Sequence, residues 1–231
     1  MESMAAVVIF MEDFETAAAD SSYSVTGAFS DGADDYFVHV GSATPPTGLP
    51  AYINPQGGRY WAVEDVDAPE NTAGVAVIAF NEILIPQAVT VTFSLKAAAG
   101  STTAFDSLDD FLMVEYRLNA GPWQAAVALQ NDGSDFNSAL SHDTDLDGIG
   151  DGRVIGLAFE EISSSPIALD AGRLEVRIDA YFNADTEAIA FDDFKITAIP
   201  EPAFIAGIIG SLFLLGQIGA RGLRSLKPTP P

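Results

Sequence analysis

Two segments of the chain alternate apolar and polar residues with a period of two. Residues 89–96 read VTVTFSLK, and residues 173–182 read RLEVRIDAYF, with valine, leucine, isoleucine and phenylalanine at every second position. A strand directs successive side chains to opposite faces of its sheet, so this period is typical of an antiparallel strand with one buried face. Both segments are therefore predicted to be half-buried strands, with one face packed on the core and the other face polar.

Further short apolar segments, separated by turn residues, are predicted strands as well. They are residues 7–10, 23–26, 36–40, 60–66, 75–80, 111–119, 123–129, 154–159 and 188–197. Clusters rich in Pro, Gly, Asn and Asp separate them, and no segment has the pattern of an amphipathic helix. About eleven strands without a helix predict one all-β antiparallel β-sandwich over residues 6–198. Five phenylalanines are assigned to its core: Phe105, Phe111, Phe159, Phe182 and Phe194.

Composition and charge exclude several classes of protein. The chain has 231 residues, no cysteine and a formal net charge of −23, so a disulfide scaffold is excluded. A hydrophobic content of 48% is enough for a core and excludes wholesale disorder. Such an acidic chain repels phosphate, which argues against a nucleic-acid partner.

The last 31 residues differ from the rest. Residues 1–200 hold 32 acidic and 7 basic residues, whereas residues 201–231 hold one acid and three bases. Residues 203–220 contain no charge and have the length of a single transmembrane helix. The basic residues that follow predict a cytoplasmic end, which leaves the β-sandwich outside the membrane. A buried core helix is the alternative.

The residues around this span resemble the PEP-CTERM sorting signal of Gram-negative envelope proteins. The resemblance rests on a Pro-Glu-Pro triplet, the apolar helix and a basic cluster, here Pro200, Glu201, Pro202, Arg221, Arg224 and Lys227. It implies that residues 199–231 are a sorting tail and that an exosortase, a membrane protease-transpeptidase, cleaves near the motif. The protein would then be exported to the cell envelope or surface, anchored at first in the inner membrane.

The N-terminus does not match a complete export signal. Residues 1–4 contain no base, and the apolar stretch at 5–11 is short and leads straight into a predicted strand. Residues 1–5 are therefore interpreted as the remnant of a longer signal or start region.

The first and last predicted strands carry a second resemblance. Residues 10–15 read FMEDFE and residues 189–196 read IAFDDFKI, a pairing similar to concanavalin-like and jelly-roll modules of carbohydrate-binding domains and surface proteins. The resemblance implies that these strands are neighbours in one sheet and that their acids can meet at a structural calcium. The residues of this second calcium site would be Glu12, Asp13, Glu15, Asp192 and Asp193, and exposed strand edges are the alternative.

The densest acidic motif reads DTDLDGIGDG at residues 143–152. Calcium takes about six to eight oxygen ligands, and carboxylates at alternate positions of a turning loop converge on one point. The order D-x-D-x-D-G matches the start of an EF-hand loop, but position 12 is Val154 rather than Glu, and flanking helices are absent from the pattern. It resembles the calcium loops of thrombospondin type 3 repeats. The predicted ligands are Asp143, Asp145, Asp147, the carbonyl of Ile149, and Asp151.

No catalytic motif is evident in the sequence. The chain has two histidines, His39 and His142, and the carboxylates beside His142 are expected to favour its charged form. Adjacent acids such as Glu64 with Asp65, or Asp109 with Asp110, are the best candidates for a glycosidase pair. Such pairs arise by chance in an acidic chain, so the prediction is a protein without enzymatic activity.

Exposed aromatic rings could form a platform on which sugars stack. The candidates are Tyr60, Trp61, Trp123 and Tyr181, with packing in the core as the alternative. The main functional prediction is a calcium-stabilised structural or adhesive protein of the cell surface or matrix. The first alternative is a module that binds an extracellular polysaccharide, and the second is an enzyme acting on polysaccharide.

Overall fold

The computed structural model describes residues 6–16, 22–42, 44–107 and 109–199. The sorting motif and the predicted helix 203–220 lie outside the described residues, as do residues 1–5. Within the described ranges, no helix is long and apolar enough to cross a membrane.

The described chain is built from strands, which form two large antiparallel sheets and one small one. The strands are β1 (Val7–Glu12), β2 (Tyr23–Thr26), β3 (Phe29–Ser30), β4 (Tyr36–Val40), β5 (Tyr60–Glu64), β6 (Ala76–Phe80), β7 (Ile83–Ile85), β8 (Val89–Ala99), β9 (Phe105–Asp106), β10 (Phe111–Leu118), β11 (Gln124–Asn131), β12 (Asn137–Ser138), β13 (Leu140–Asp143), β14 (Glu160–Ser163), β15 (Ile167–Leu169), β16 (Gly172–Tyr181) and β17 (Ile189–Ile199).

Sheet A has eight strands and sheet B has seven. The order in sheet A is β14-β8-β17-β5-β4-β3, with β15 beside β8 and β1 beside β17. The order in sheet B is β13-β11-β10-β16-β6-β2, with β7 beside β16, and β9 and β12 form a separate pair. Apolar side chains from both sheets form one core, so the predicted antiparallel β-sandwich is confirmed.

The predicted alternation is clearest in β16. Its residues from Leu174 to Ala180 alternate between buried and half-buried positions, and the polar ones point away from the core. In β8 the alternation holds only for the first half, because the second half is buried on both faces. A second apolar cluster, which includes Tyr36, Tyr60 and Phe159, covers this part of sheet A from outside.

The first and last strands are neighbours, as the resemblance implied. β1 pairs with β17 in antiparallel register, with Val7 opposite Ala198 and Glu12 opposite Phe194. One predicted strand was wrong. Residues 154–159 form only isolated bridges, at Val154 and Ala158, although Ile155 and Phe159 are buried.

Candidate functional site

Two aromatic rings lie side by side on the outer face of sheet B. Phe111 on β10 is the direct cross-strand partner of Tyr181 on β16, and their ring centroids are 6.4 Å apart with 23° between the planes. Both side chains are half-buried. Phe111 was assigned to the core from its hydrophobicity, and that assignment is wrong: its register places it on the same face as the polar residues of β16.

Polar side chains border this ring pair. Gln130 on β11 lies opposite Phe111, and Asp179 on β16 lies two residues from Tyr181 on the same face. Beside Phe111 opens a cavity of about 390 Å³, whose lining includes Asp106, Asp109, Asp110, Phe111, Gln130 and Ile149. The face therefore offers two stacked rings with carboxylate and amide groups around them.

The acidic loop adjoins the same cavity. Gly148 and Ile149 line it, and the carboxylates of Asp143, Asp145 and Asp151 converge to within 4.8 Å of one another. Asp147, a predicted ligand, is not part of this converging group, and its Oδ1 accepts the Ile149 N–H at 3.0 Å.

Hydrogen bonds hold the loop in its turning path. Asp143 is buried, and its two carboxylate oxygens accept N–H groups from Leu146 at 2.7 Å and Gly148 at 2.9 Å. Asp151 Oδ1 accepts both the N–H and the hydroxyl of Thr144. Positive φ angles at Leu146 and Gly148 complete the turn. This path explains how three of the predicted ligands come together.

The second predicted calcium group is held by protein partners instead. Asp193 forms ion pairs with Lys195 at 2.7 Å and Lys96 at 3.0 Å, while Glu15 accepts backbone N–H groups of Gly58 and Arg59. The carboxylate of Glu12 accepts hydrogen bonds from Phe14 and Ser22, and Asp192 accepts one from Gln56. Asp13 lines a cavity of about 370 Å³ together with Glu15 and Asp193. In the described part of the chain, these five acids are not among the groups of three or more carboxylates that converge within 4.8 Å.

The other aromatic candidates are engaged elsewhere. Trp61 is buried in the main core, and Tyr60 is buried under the loops that cover sheet A, so neither ring is open to a ligand. Trp123 is half-buried, with the guanidinium carbons of Arg117 and Arg177 each 4.6 Å from its ring centroid. Of the four predicted rings, Tyr181 is the one that lies on the open face beside a second ring.

Both histidines have lowered pKa values. Burial lowers the pKa of His142 and outweighs Asp143 and Asp151, whose carboxylates favour the charged form as expected. Burial also lowers the pKa of His39, which stacks on Trp61 and makes a hydrogen-bond contact of 2.6 Å with the Phe14 carbonyl. His39 therefore belongs to the packing of the fold.

Each carboxylate pair suggested as a glycosidase candidate contains one buried residue. Asp109 is exposed, but its neighbour Asp110 is buried and accepts the Asp106 N–H through Oδ2. Glu64 is buried beneath the cluster outside sheet A. Burial removes Glu64 from contact with a polysaccharide, whereas Asp110 lines the cavity beside Phe111.

Comparisons with known proteins give distant similarities of fold. No family model matches the chain, and no curated protein matches it. Among solved structures, the CBM22-1 xylan-binding domain of Paenibacillus barcinonensis Xyn10C is 11% identical, with a TM-score of 0.44 over 87% of this chain and 99% of that chain. The K3 cleaved adhesin domain of Lys-gingipain from Porphyromonas gingivalis is 20% identical, with a TM-score of 0.42 over 84% of this chain and 99% of that chain. A cyclase from Fischerella sp. TAU is 15% identical, with a TM-score of 0.44 over 85% of this chain and 98% of that chain. These similarities are too distant to assign an activity.

Proposed function

We propose that this chain is a non-catalytic carbohydrate-binding module. The observation that carries the proposal is the stacked pair of Phe111 and Tyr181 on the outer face of sheet B. The flat apolar face of a pyranose packs on such rings, and the pair presents them next to each other on a rigid sheet.

The polar groups around the rings suit sugar hydroxyls. Asp179, Gln130 and the exposed Asp109 offer carboxylate and amide oxygens that accept hydrogen bonds, and the Gln130 amide also donates them. A few placed polar groups beside an apolar platform give a ligand its orientation. The arrangement thus provides both elements of carbohydrate recognition.

The net charge of the chain disfavours anionic glycans as ligands. With a net charge of −23, the protein repels uronic-acid and sulfated polymers unless a cation intervenes. Arg117 and Arg177, the basic residues nearest Trp123, are already paired with Glu175 and Glu115. The proposed ligand is therefore a neutral polysaccharide.

A calcium ion at the acidic loop belongs to the proposal. Asp143, Asp145 and Asp151 supply the converging oxygens, and an extracellular site of this kind binds calcium with a Kd of about 10⁻⁴ to 10⁻³ M. The ion would fix Gly148 and Ile149 at the wall of the cavity beside Phe111. Calcium would then stabilise the sandwich and shape the edge of the binding face.

Export and sorting complete the proposed role. The support is the sequence: a charge-free span at 203–220 that follows Pro-Glu-Pro and precedes three basic residues. An exosortase-type enzyme would be the processing partner, and the mature module would act at the cell surface or in the polysaccharide matrix. A labelled C-terminus that disappears in an exosortase-containing host, and is kept after Glu201→Ala, would support this processing.

The experiment is affinity electrophoresis of the full chain in gels that contain polysaccharides. The panel holds neutral glucans, mannans and xylans, and anionic uronic-acid polymers. Each gel is run once with millimolar calcium and once with a chelator. The proposal expects saturable retardation by at least one neutral polysaccharide, which Tyr181→Ala reduces. Phe136→Ala is the matched control, because Phe136 is an exposed phenylalanine outside the ring pair.

Two outcomes would contradict the proposal. One is a folded wild-type chain that no polysaccharide retards, which would favour a structural or protein-adhesive component. The other is retardation that Tyr181→Ala and Phe136→Ala change equally, which would place the ligand away from the ring pair.

A further inference from the structure

Three buried carboxylates meet beside the cavity, and two of them, Asp106 and Asp110, line it. Asp106 ends β9, Asp110 directly precedes β10, and Glu187 lies in the turn before β17. Their oxygens lie within 4.8 Å of one another, and all three residues are buried. We call Asp106, Asp110 and Glu187 the buried triad.

One oxygen of the buried triad lacks a partner. Asp110 is only 4% exposed, and its Oδ1 is buried without a hydrogen bond, whereas Oδ2 accepts the Asp106 N–H. Glu187 Oε2 accepts the Asn183 N–H at 2.9 Å. Buried acceptors are almost always satisfied, so this carboxylate oxygen indicates either a proton shared with the neighbouring Glu187 carboxyl or a missing cation.

The charge of the triad also calls for a ligand. Among the ion pairs of the described residues, none involves Asp110 or Glu187. Neighbouring carboxylates buried away from water repel one another strongly. A proton shared within the triad relieves part of this repulsion, and a divalent cation relieves more of it.

The chemistry of the oxygens selects calcium. Ca²⁺ accepts an irregular set of about six to eight oxygens at about 2.3–2.6 Å, including bidentate carboxylates. Mg²⁺ demands near-octahedral geometry and keeps several of its waters, which suits a buried cluster of three carboxylates poorly. Zn²⁺, Cu²⁺ and Ni²⁺ favour nitrogen or sulfur ligands, and the triad has neither, whereas Mn²⁺ shares the preference of Ca²⁺ for carboxylate oxygens.

We propose that Asp106, Asp110 and Glu187 form a buried Ca²⁺ site distinct from the acidic loop. The ion would join the segment between β9 and β10 to the turn before β17. Asp106 and Asp110 line the cavity, and Phe111 follows Asp110 directly, so the site would set the floor of the cavity and the start of β10. Its existence does not depend on what the outer face binds.

Calorimetric titration of the chelator-treated full chain with calcium chloride tests the site. The expected result is one more ion per wild-type chain than per Asp110→Asn chain, or at least about tenfold weaker binding at that site. Glu187→Gln is expected to behave in the same way. Asp145→Asn is the matched control, since it removes a carboxylate from the acidic loop and leaves the triad complete. Full stoichiometry and affinity in both Asp110→Asn and Glu187→Gln would overturn the proposal.

Crystals of the wild-type chain grown with calcium keep the test decisive if a triad variant fails to fold. Anomalous scattering at a long X-ray wavelength is expected to show a peak among the three carboxylates. Ordered density for the triad without an anomalous peak, whatever the state of the acidic loop, would overturn the proposal. The readout is independent of glycan binding, so failure here and failure of the proposed function are separate results.

Discussion

Phe111 and Tyr181 face each other across β10 and β16 and stack with their ring centroids 6.4 Å apart. Hydrophobicity alone favours a core position for Phe111, but antiparallel register fixes both rings on the outer face of sheet B. Both rings are half-buried, and Tyr181 also packs against the core, so the part of each ring that stays exposed forgoes burial. A ligand that covers the rings recovers that burial, which is why the pair is the centre of the proposed site.

Trp123 is expected to contribute to stability and not to ligand binding. Arg117 pairs with Glu175 and Arg177 pairs with Glu115 across β10 and β16, and both guanidinium groups lie against the Trp123 ring. Each cation–π contact contributes about 0.5–1 kcal/mol at an exposed site. Trp123→Ala should therefore lower the unfolding free energy by about 1–2 kcal/mol, measured by urea denaturation.

The same Trp123→Ala protein should bind polysaccharide as the wild type does. Unchanged stability together with lost binding would contradict this assignment, because the ring would then be a ligand platform. Trp123→Phe serves as the conservative control, since it keeps a ring over the two arginines.

Glu64 should make the fold less stable as the pH rises. Burial raises the pKa of the Glu64 carboxyl to about 8, and the carboxylates of Asp34 and Asp185 act in the same direction. A folded-state pKa above the unfolded value means that the folded protein holds the proton more tightly. The contribution is complete below the ordinary glutamate pKa of about 4.3 and is lost as the pH rises towards 8.

Glu64→Gln removes this titration while keeping the shape of the side chain. The difference in unfolding free energy between wild type and Glu64→Gln should change with pH, by up to about 1.4 kcal/mol per pH unit between pH 5 and 8. Urea denaturation at several pH values measures it. Parallel pH profiles for the two proteins would show that Glu64 has an ordinary pKa in the folded state.

Asp193 on β17 should stabilise the contact between β17 and β8 in sheet A, because its ion-pair partners are Lys96 on β8 and Lys195 on β17. Burial alone would raise the pKa of Asp193, but the ammonium groups of Lys195 and Lys96 together lower it. Asp193→Asn leaves both lysines without their carboxylate and should lower the unfolding free energy by about 1.5–3 kcal/mol at pH 7.

The loss of unfolding free energy in Asp193→Asn should depend on pH in the opposite sense to that in Glu64→Gln. A lowered pKa gives stability that is present above the ordinary aspartate pKa of about 3.9 and is lost as the pH falls. The variant and the wild type should therefore converge in acid. Asp170→Asn, at an exposed aspartate, is the control and should have little effect at either pH. A constant difference from pH 7 to pH 3 would contradict the ion-pair account.

Calcium should stabilise the chain through the acidic loop. A ligand at about one hundred times its Kd adds about 2.7 kcal/mol to the unfolding free energy. Asp145→Asn and Asp151→Asn should lose this loop contribution, whereas Asp147→Asn should keep more of it, because Asp147 lies outside the converging group. Thermal melts with calcium and with chelator measure the effect. Equal calcium shifts in wild type, Asp145→Asn and Asp151→Asn would exclude the loop as a calcium site.

The sandwich could be predicted from the sequence because, in its main strands, the alternation of apolar and polar residues indicates which side chains are buried. In β16, every second residue is apolar, and the structure buries those residues. Residues 154–159 show the limit of that signal: Ile155 and Phe159 are buried by packing, although the segment makes only isolated bridges. Short strands such as β7 and β15 were missed, since three residues are too few to show a period.

The candidate site was only partly predictable for a different reason. The converging carboxylates of the acidic loop lie within a few residues of one another, so that group could be predicted from the sequence. The faces of Phe111 and Tyr60 depend on register and on which loops cover sheet A, and neither is visible in a local pattern. Glu187 is distant in sequence from Asp106 and Asp110, so the buried triad exists only in the fold.

The central claim is tested most directly by calorimetric titration of one oligosaccharide into three full-length proteins. The oligosaccharide comes from the neutral polysaccharide that retards the wild type most strongly, and the proteins are wild type, Phe111→Ala and Tyr181→Ala. Saturable binding to the wild type is expected, with at least about tenfold weaker binding to each variant, a loss of about 1.4 kcal/mol or more. Equal affinity in all three proteins, each shown to be folded by circular dichroism, would contradict the central claim.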